Sequence, residues 1–396
     1  MFKLFKNPCF WYTLTWCLYY CQGVLYPSDS IISKSIALLI LLLSVIYTYR
    51  YLSSNVIKGY AKALFCVLLL ISIYGLFAYA TDGVVIRGRA SDTKSFMWFR
   101  NLYLSILPVF TYLYFAKSNY LTVQFIRKVF PIVLIAVLIS YYWSYQTAIG
   151  LAYLKTGNNV EDVTNNAGYI VLSMIPMLLV FDNKKLIQYV GLLVLAALVL
   201  LSMKRGAILI CCIVSVVFVL RALTHSSKKS KLFILLLIIA LFIILYFFVI
   251  DYMAENDYFM SRLEATREGK SSGRDDIYTT LWNHFLNDNS LVRTLFGGGV
   301  WYTTKVTWTA AHNDWLEFLL DMGLIGIGIY ACYWISFYKL ARNKTLPETS
   351  RFCVLLIFIT LFIKTFFSMS LDSMTFMQSM MLGLSYYGII NTSVDL

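Results

Sequence analysis

Charge is scarce in this sequence. Only 13% of its 396 residues are Asp, Glu, Lys or Arg, while 60% are hydrophobic. A soluble domain carries about 25% charged residues, so a water-soluble globular enzyme is excluded. Mean hydropathy is +0.71, and lipid is the solvent such a chain requires. Histidine is scarcer still. His225, His284 and His312 are the three present, and none has Cys or carboxylate neighbours at metal-ligand spacing, which argues against a zinc site. The eight cysteines (Cys9, Cys17, Cys21, Cys66, Cys211, Cys212, Cys332 and Cys353) fall in or beside apolar runs. They read as small helix-packing residues rather than as a disulfide framework. A fixed-period repeat and a low-complexity linker are also lacking, which points to one bundle rather than to an array of modules.

What is there is a series of apolar runs of about 15 to 25 residues. An unsatisfied backbone group in hydrocarbon costs several kcal/mol, so spanning segments must be helices or the strands of a closed barrel. Runs this long select helices, because barrel strands read as alternating segments of about ten residues. Hydropathy windows place helices near 9–26, 35–49, 60–79, 97–116, 129–147, 168–182, 186–202, 206–223, 232–252, 316–338, 352–370 and 375–390. The expected fold is an all-α integral membrane protein of about 12 transmembrane helices. The first run follows Lys3 and Lys6 but precedes no small-x-small cleavage site, so it reads as an uncleaved span.

The net charge of +13 does not point to nucleic acid, because the basic residues sit in short clusters between apolar runs. That pattern is a topology signal. With the N-terminus inside, the inner segments hold clusters such as Arg127–Lys128, Lys184–Lys185 and Lys228–Lys231, beside only Asp182, Glu348 and Asp395 among the acids. This obeys the positive-inside rule and puts both termini in the cytoplasm. The one long hydrophilic stretch, roughly 251–314, then faces outward between the ninth and tenth helices. Three regions follow: helices 1–9 over 1–252, a large outer loop with an amphipathic helix over 253–314, and helices 10–12 over 315–396.

Basic residues on the outer side run against the topology rule and are the first functional candidates. Lys204 and Arg205 occupy a short turn before Gly206, which would let the chain turn tightly. Arg there can grip phosphate oxygens bidentately, or the pair can simply snorkel to the interface. Arg100 opens the fourth helix on the same side, preceded by Arg87 and Arg89, and is open to the same two readings. In the loop, Ser272 followed by Asp275 forms a capping-box pattern, and Ile277, Leu281 and Phe285 then define one apolar helix face. Arg274 would lie in the first turn, where free amides and the helix dipole favour an anion. The alternative is an exposed charge paired with Asp275 or Asp276.

His312 stands at the outer mouth of the tenth helix. Asp314, Glu317 and Asp321 follow at helical spacing and share one face, so an acidic stripe descends into the bundle. A carboxylate beside an imidazole fixes its tautomer and raises its basicity, which suits a general base acting on a hydroxyl. The simpler alternative is an interfacial histidine at a helix cap. Gly323, Gly326 and Gly328 lie in an apolar helix with no preceding strand and read as close-packing positions rather than a nucleotide loop. Trp301, Tyr302, Trp308 and Trp315 flank this region, where aromatic faces could stack on sugars or simply sit at the membrane interface.

Three stretches carry a family resemblance. They are Lys204-Arg205-Gly206-Ala207; Gly273-Arg274 leading to Phe296-Gly297-Gly298-Gly299; and His312-Asn313-Asp314-Trp315-Leu316-Glu317 followed by Gly323-Leu324-Ile325-Gly326. Together they resemble the O-antigen ligase and Wzy-type polymerase superfamily of bacterial envelope glycosyltransferases, over roughly 190–335. The resemblance implies a GT-C-like bundle in the bacterial inner membrane, with its large loop in the periplasm. It implies a metal-independent, inverting enzyme that needs no cofactor and moves a glycan from undecaprenyl diphosphate onto an acceptor hydroxyl. Carried over, Arg205 and Arg274 would hold the diphosphate, with Lys204 and Arg100 as further cations, and His312 would deprotonate the acceptor. Lys204 stands where the family often has Ser. The leading expectation is a polymerase of O-antigen or capsular repeat units. The alternative is a ligase that moves finished polymer to a lipid A core, and a flippase for the same lipid-linked glycan is a third reading. A chain-length regulator and membrane lipid are the other implied partners.

Overall fold

The computed structural model describes residues 2–54, 56–80, 94–156, 163–224 and 274–388. Among them the regular structure is helical. After a single helical turn at Phe2–Phe5, the α-helices are α1 (Pro8–Tyr20), α2 (Ile31–Ser53), α3 (Gly59–Ala80), α4 (Lys94–Lys117), α5 (Val123–Thr156), α6 (Gly168–Leu172), α7 (Lys185–Leu201), α8 (Arg205–Thr224), α9 (Arg274–Leu286), α10 (Leu291–Phe296), α11 (Tyr302–Thr307), α12 (Asp314–Ala341), α13 (Glu348–Lys364) and α14 (Phe376–Tyr386). Among the described residues five helices are long and apolar enough to cross a membrane, at Ile31–Ser53, Gly59–Phe77, Val123–Leu154, Arg205–Thr224 and Asp314–Ala341. The expected ninth span at 232–252 and the loop as far as 273, with Ser272, Arg87, Arg89 and His225, lie outside the described residues.

Local sequence explains where the helices begin. Asn7 accepts from the Cys9 amide with Pro8 at the first helical position, and Ser30 accepts from the Ser33 amide. Thr375 and Gln378 form a reciprocal capping box at the head of α14. The expected single helix at 168–182 is instead α6 followed by a 3-10 helix at Ile175–Phe181. Pro176 has no amide hydrogen to give the Leu172 carbonyl, so the α-helix ends there.

Lipid-facing surface is evident on α2, where Leu38, Leu42, Val45 and Ile46 are all about half exposed. A helix apolar on all sides but covered on one is solvated by hydrocarbon on the rest. Inside, α4 packs against α2 and α14, and α12 packs against α3, α10 and α13. A ladder of rings joins α12 to α13, with Trp334 meeting Phe358 and Phe362 at centroid distances of 5.8 and 5.2 Å. These layers gather the ends of α7 and α13 and the starts of α8, α9 and α12 at one end of the bundle.

Candidate functional site

The turn at 202–206 is fixed from below. Met203 adopts φ 53°, in the left-handed region, and the Asn165 amide donates to the Ser202 carbonyl at 2.7 Å. Gly206 therefore serves a different purpose from the tight turn expected of it. It sits in ordinary helical backbone, and a Cβ there would overlap the Tyr169 hydroxyl and the Phe367 ring. Its missing side chain lets α8 close on α6 and on the segment after α13. Arg205 is exposed at the first position of α8, and Lys204, half-buried, precedes it.

Phe367 joins the turn to the loop helix. Arg274, the first residue of α9, donates from Nη1 to the Phe367 carbonyl at 2.7 Å. One helical turn on, the Tyr278 hydroxyl lies 3.3 Å from both the Phe366 and the His312 carbonyls. His312 is held with φ 51°, a left-handed conformation that a non-glycine residue adopts only when its surroundings impose it. Asn313 then caps α12 by accepting from the Trp315 and Leu316 amides. Lys204 and Arg274, from two other stretches of chain, thus lie within electrostatic reach of His312. Partial loss of water, then the charges of Arg274 and Lys204, hold the His312 imidazole below its ordinary value of 6.5.

That direction corrects the expectation of a carboxylate-activated histidine. Asp314, Glu317 and Asp321 do share a face, but the face is turned inward and each carboxylate is engaged elsewhere. Asp314 accepts from the Ser370 amide at 3.0 Å and the Tyr330 hydroxyl at 2.6 Å. Glu317 accepts from the Thr303 hydroxyl at 2.7 Å and the Ala311 amide at 2.8 Å. Asp321 accepts from the Trp301 and Thr303 amides at 2.9 and 3.1 Å. With Ile71, Leu102 and Met369 they border a cavity of about 30 Å³. The stripe is a clamp that fastens the connections on either side of His312 to the top of α12.

The glycines form a second device. Gly323 has φ 66° and ψ −165° and breaks α12 rather than packing within a continuous helix. The break leaves carbonyls without helical donors. The amides of Gly298 and Gly299 donate to the Leu320 and Asp321 carbonyls at 2.8 and 3.0 Å, which fills that need. A Cβ at Gly297 would overlap the Asp321 backbone, and one at Gly323 would overlap Leu295 and Gly297. The two motifs are thus halves of one backbone-to-backbone contact. Phe318 and Tyr330 stack across the break, with centroids 4.2 Å apart. A Cβ at Gly328 would meet nothing within 4 Å, so it is not a packing glycine.

Arg100 lies on α4, but its side chain is outside the described residues. Trp315 is committed to structure, donating to the Thr365 hydroxyl at 2.9 Å, while Trp308 is exposed. Two residues that the sequence reading did not place in the site border it. The buried Lys364 ammonium lies over the Tyr169 ring at 4.4 Å from its centroid and donates to the Ser373 hydroxyl. Tyr169 in turn touches the position of Gly206 and lies within electrostatic reach of Arg274. The available signal was the lysine itself, because an ionisable residue in an apolar span is a functional candidate by default.

No curated protein matches the chain in a sequence comparison. Residues 190–331 match the model of the O-antigen ligase family, Wzy_C. The matched stretch contains the Lys204–Ala207 turn, Arg274, the 296–299 glycines, His312 and the break at Gly323. That stretch is similar to the O-antigen ligase family, and the match supports the O-antigen ligase and Wzy-type superfamily for the part of the chain that carries these motifs.

Proposed function

We propose that this protein is a glycosyltransferase working at the periplasmic face of the inner membrane on a glycan carried by undecaprenyl diphosphate. The observation that carries the reading is the docking of the Arg274 helix onto the Phe367 and His312 carbonyls, which brings Arg274, with Lys204, within electrostatic reach of His312 beside the exposed head of α8 with Arg205. Cations fixed in place before reaction stabilise the charge that grows on a departing diphosphate without reorganising. The acceptor hydroxyl oxygen attacks the anomeric carbon of the donor sugar. The bond from that carbon to the diphosphate oxygen breaks, and undecaprenyl diphosphate leaves with the electron pair. The hydroxyl proton passes to His312, which its depressed basicity keeps neutral and able to accept it at neutral pH. A single displacement of this kind inverts the anomeric centre and gives no metal a role.

The acceptor in this reading is a second lipid-linked repeat, so the protein is a polymerase of O-antigen or capsular units. The description of the matched family, O-antigen ligase, favours transfer of finished polymer to a lipid A core as a second reading. The same donor-side residues serve both. Interrupted helices also suit a flippase, but at Gly323 the freed carbonyls of Leu320 and Asp321 are taken by amides rather than left for an ion, which speaks against it.

The test is turnover by purified protein supplied with lipid-linked repeat units. A new glycosidic bond is expected, and translocation without bond formation would overturn the reading. Deletion in cells separates polymerase from ligase: single repeats attached to the envelope mark loss of a polymerase, and long polymer stranded on the carrier marks loss of a ligase.

A further inference from the structure

Away from the cations, the loop helices border an open groove of about 590 Å³. Helix α9 supplies one wall and explains it. Its apolar face, Ile277, Leu281 and Phe285, packs against Leu319, Leu320 and Ala311. Thr280, Asn283, His284 and Asn287, spaced three and four apart, share the flank beside that apolar face, and all line the groove. A polar helix face is ordinarily just solvated. Here the segment from 288 to 293 and Val306 of α11 rise to make a second wall, so the face looks into a concavity instead.

The second wall is rigid and electrically balanced. Asp288 accepts from the Ser290 amide at 2.9 Å and pairs with Arg293 at 2.9 Å. Arg293 also donates to the Tyr302 hydroxyl at 3.3 Å, and that hydroxyl lies 2.9 Å from His284 Nε2. With its guanidinium neutralised, the groove offers no uncompensated cation for a phosphate. What it offers is amide and hydroxyl groups. Among the described residues the side chains of Thr280, Asn283, Asn287 and Asn289 have no hydrogen-bond partner. Each amide presents donors and an acceptor side by side, the pattern that vicinal sugar hydroxyls complement. A volume of this size is within the range of pockets that enclose small organic ligands.

Position connects the groove to the cations. Asn283 and Asn287 lie nine and thirteen residues beyond Arg274 on one helix, or about 14 to 20 Å at the helical rise. We infer that the groove is an oligosaccharide subsite, taking the sugars of a lipid-linked substrate whose diphosphate rests at Arg274. This rests on the glycosyl-transfer reading for the identity of the ligand.

The test uses the full chain in lipid nanodiscs. The probe is the free oligosaccharide released by mild acid from the lipid-linked intermediates of cells that make the protein, titrated calorimetrically. Saturable binding is expected, weakened about tenfold by Asn283→Ala or Asn287→Ala, the scale of one or two neutral hydrogen bonds. Asn283→Trp, which fills the groove, should abolish binding, and Arg274→Ala should leave it intact. In turnover assays the groove variants should raise KM several-fold with kcat preserved. A rise for the donor alone, or for the acceptor alone, assigns the groove to that substrate. Absence of binding, or binding and KM unchanged in Asn283→Trp, would overturn the subsite while bond formation continued. Binding lost in Asn283→Trp by a protein that forms no glycosidic bond would leave the subsite standing and remove the transferase reading.

Discussion

Two sets of charged residues lie within a few turns of each other at the head of α12, and they are built in opposite ways. The carboxylates Asp314, Glu317 and Asp321 are 2%, 6% and 3% exposed, and amides or hydroxyls engage each one. The basic set, Lys204, Arg205 and Arg274, is half-buried or exposed, and Arg274 meets a backbone carbonyl rather than an acid. Buried charge that is fully engaged serves architecture, because its interactions leave no capacity for a ligand. Arg274, held by a neutral acceptor, keeps its charge available to an incoming anion. The difference divides the charged chemistry of this end into a frame and a working surface.

The division is broken most readily by substitution at the working surface. His312→Ala should reduce glycosyl transfer about a hundred- to ten-thousand-fold, the range for loss of a general base. Arg274→Ala and Arg205→Ala should each cost about a hundred- to a thousand-fold, the scale of a lost electrostatic stabiliser. All three should leave the melting temperature in detergent within a degree or so of wild type, because surface substitutions shift stability little. Full activity in the His312 variant would remove the proton-acceptor role, and a large drop in melting temperature would move that residue into the frame.

The carboxylates should behave in reverse. Asp321→Ala leaves the Trp301 and Thr303 amides without their acceptor, at about 1–3 kcal/mol for each buried donor. The expected result is a large loss of folded protein from the membrane, with any surviving fraction keeping its turnover. Gly323→Ala strains a positive-φ position and overlaps Leu295 and Gly297, for about 1–3 kcal/mol. A well-folded Asp321→Ala protein lacking activity would place that carboxylate in the reaction and collapse the contrast.

How much of this was legible in the sequence depends on how local the cause is. Helix positions were, because hydropathy and caps act over a single run, and α2, α3, α8 and α13 lie close to their expected ranges. The apolar face of α9 was legible from the spacing of Ile277, Leu281 and Phe285, and it packs as that spacing required. The acidic stripe was half legible. Spacing placed Asp314, Glu317 and Asp321 on one face, but nothing local told that the face would meet amides of Trp301, Thr303 and Ser370. The break at Gly323 was hidden for the same reason, since it is stabilised by Gly298 and Gly299 from a separate stretch of chain. The expectation that Arg205, Arg274 and His312 meet came from motif resemblance. It could not come from spacing, because contacts between distant stretches leave no period in a single sequence.

The finest test of the contrast is the acid limb of the rate profile. Loss of water around the ring and then the charges of Arg274 and Lys204 disfavour the imidazolium of His312, so its pKa lies below 6.5. A base acts when deprotonated, so kcat/KM should hold constant at neutral pH and fall only as pH drops below that of an ordinary histidine. Replacing Lys204 with Gln removes one of the opposing charges. The imidazolium then forms more readily, the pKa rises toward 6.5, and the acid limb moves up by a fraction of a pH unit. A bound diphosphate acts in the same direction, placing negative charge beside the ring, so the limb in kcat should lie above the limb in kcat/KM. A Lys204→Gln limb that stays still or moves down would mean that the cations do not act on His312, and the working surface would separate into unrelated charges.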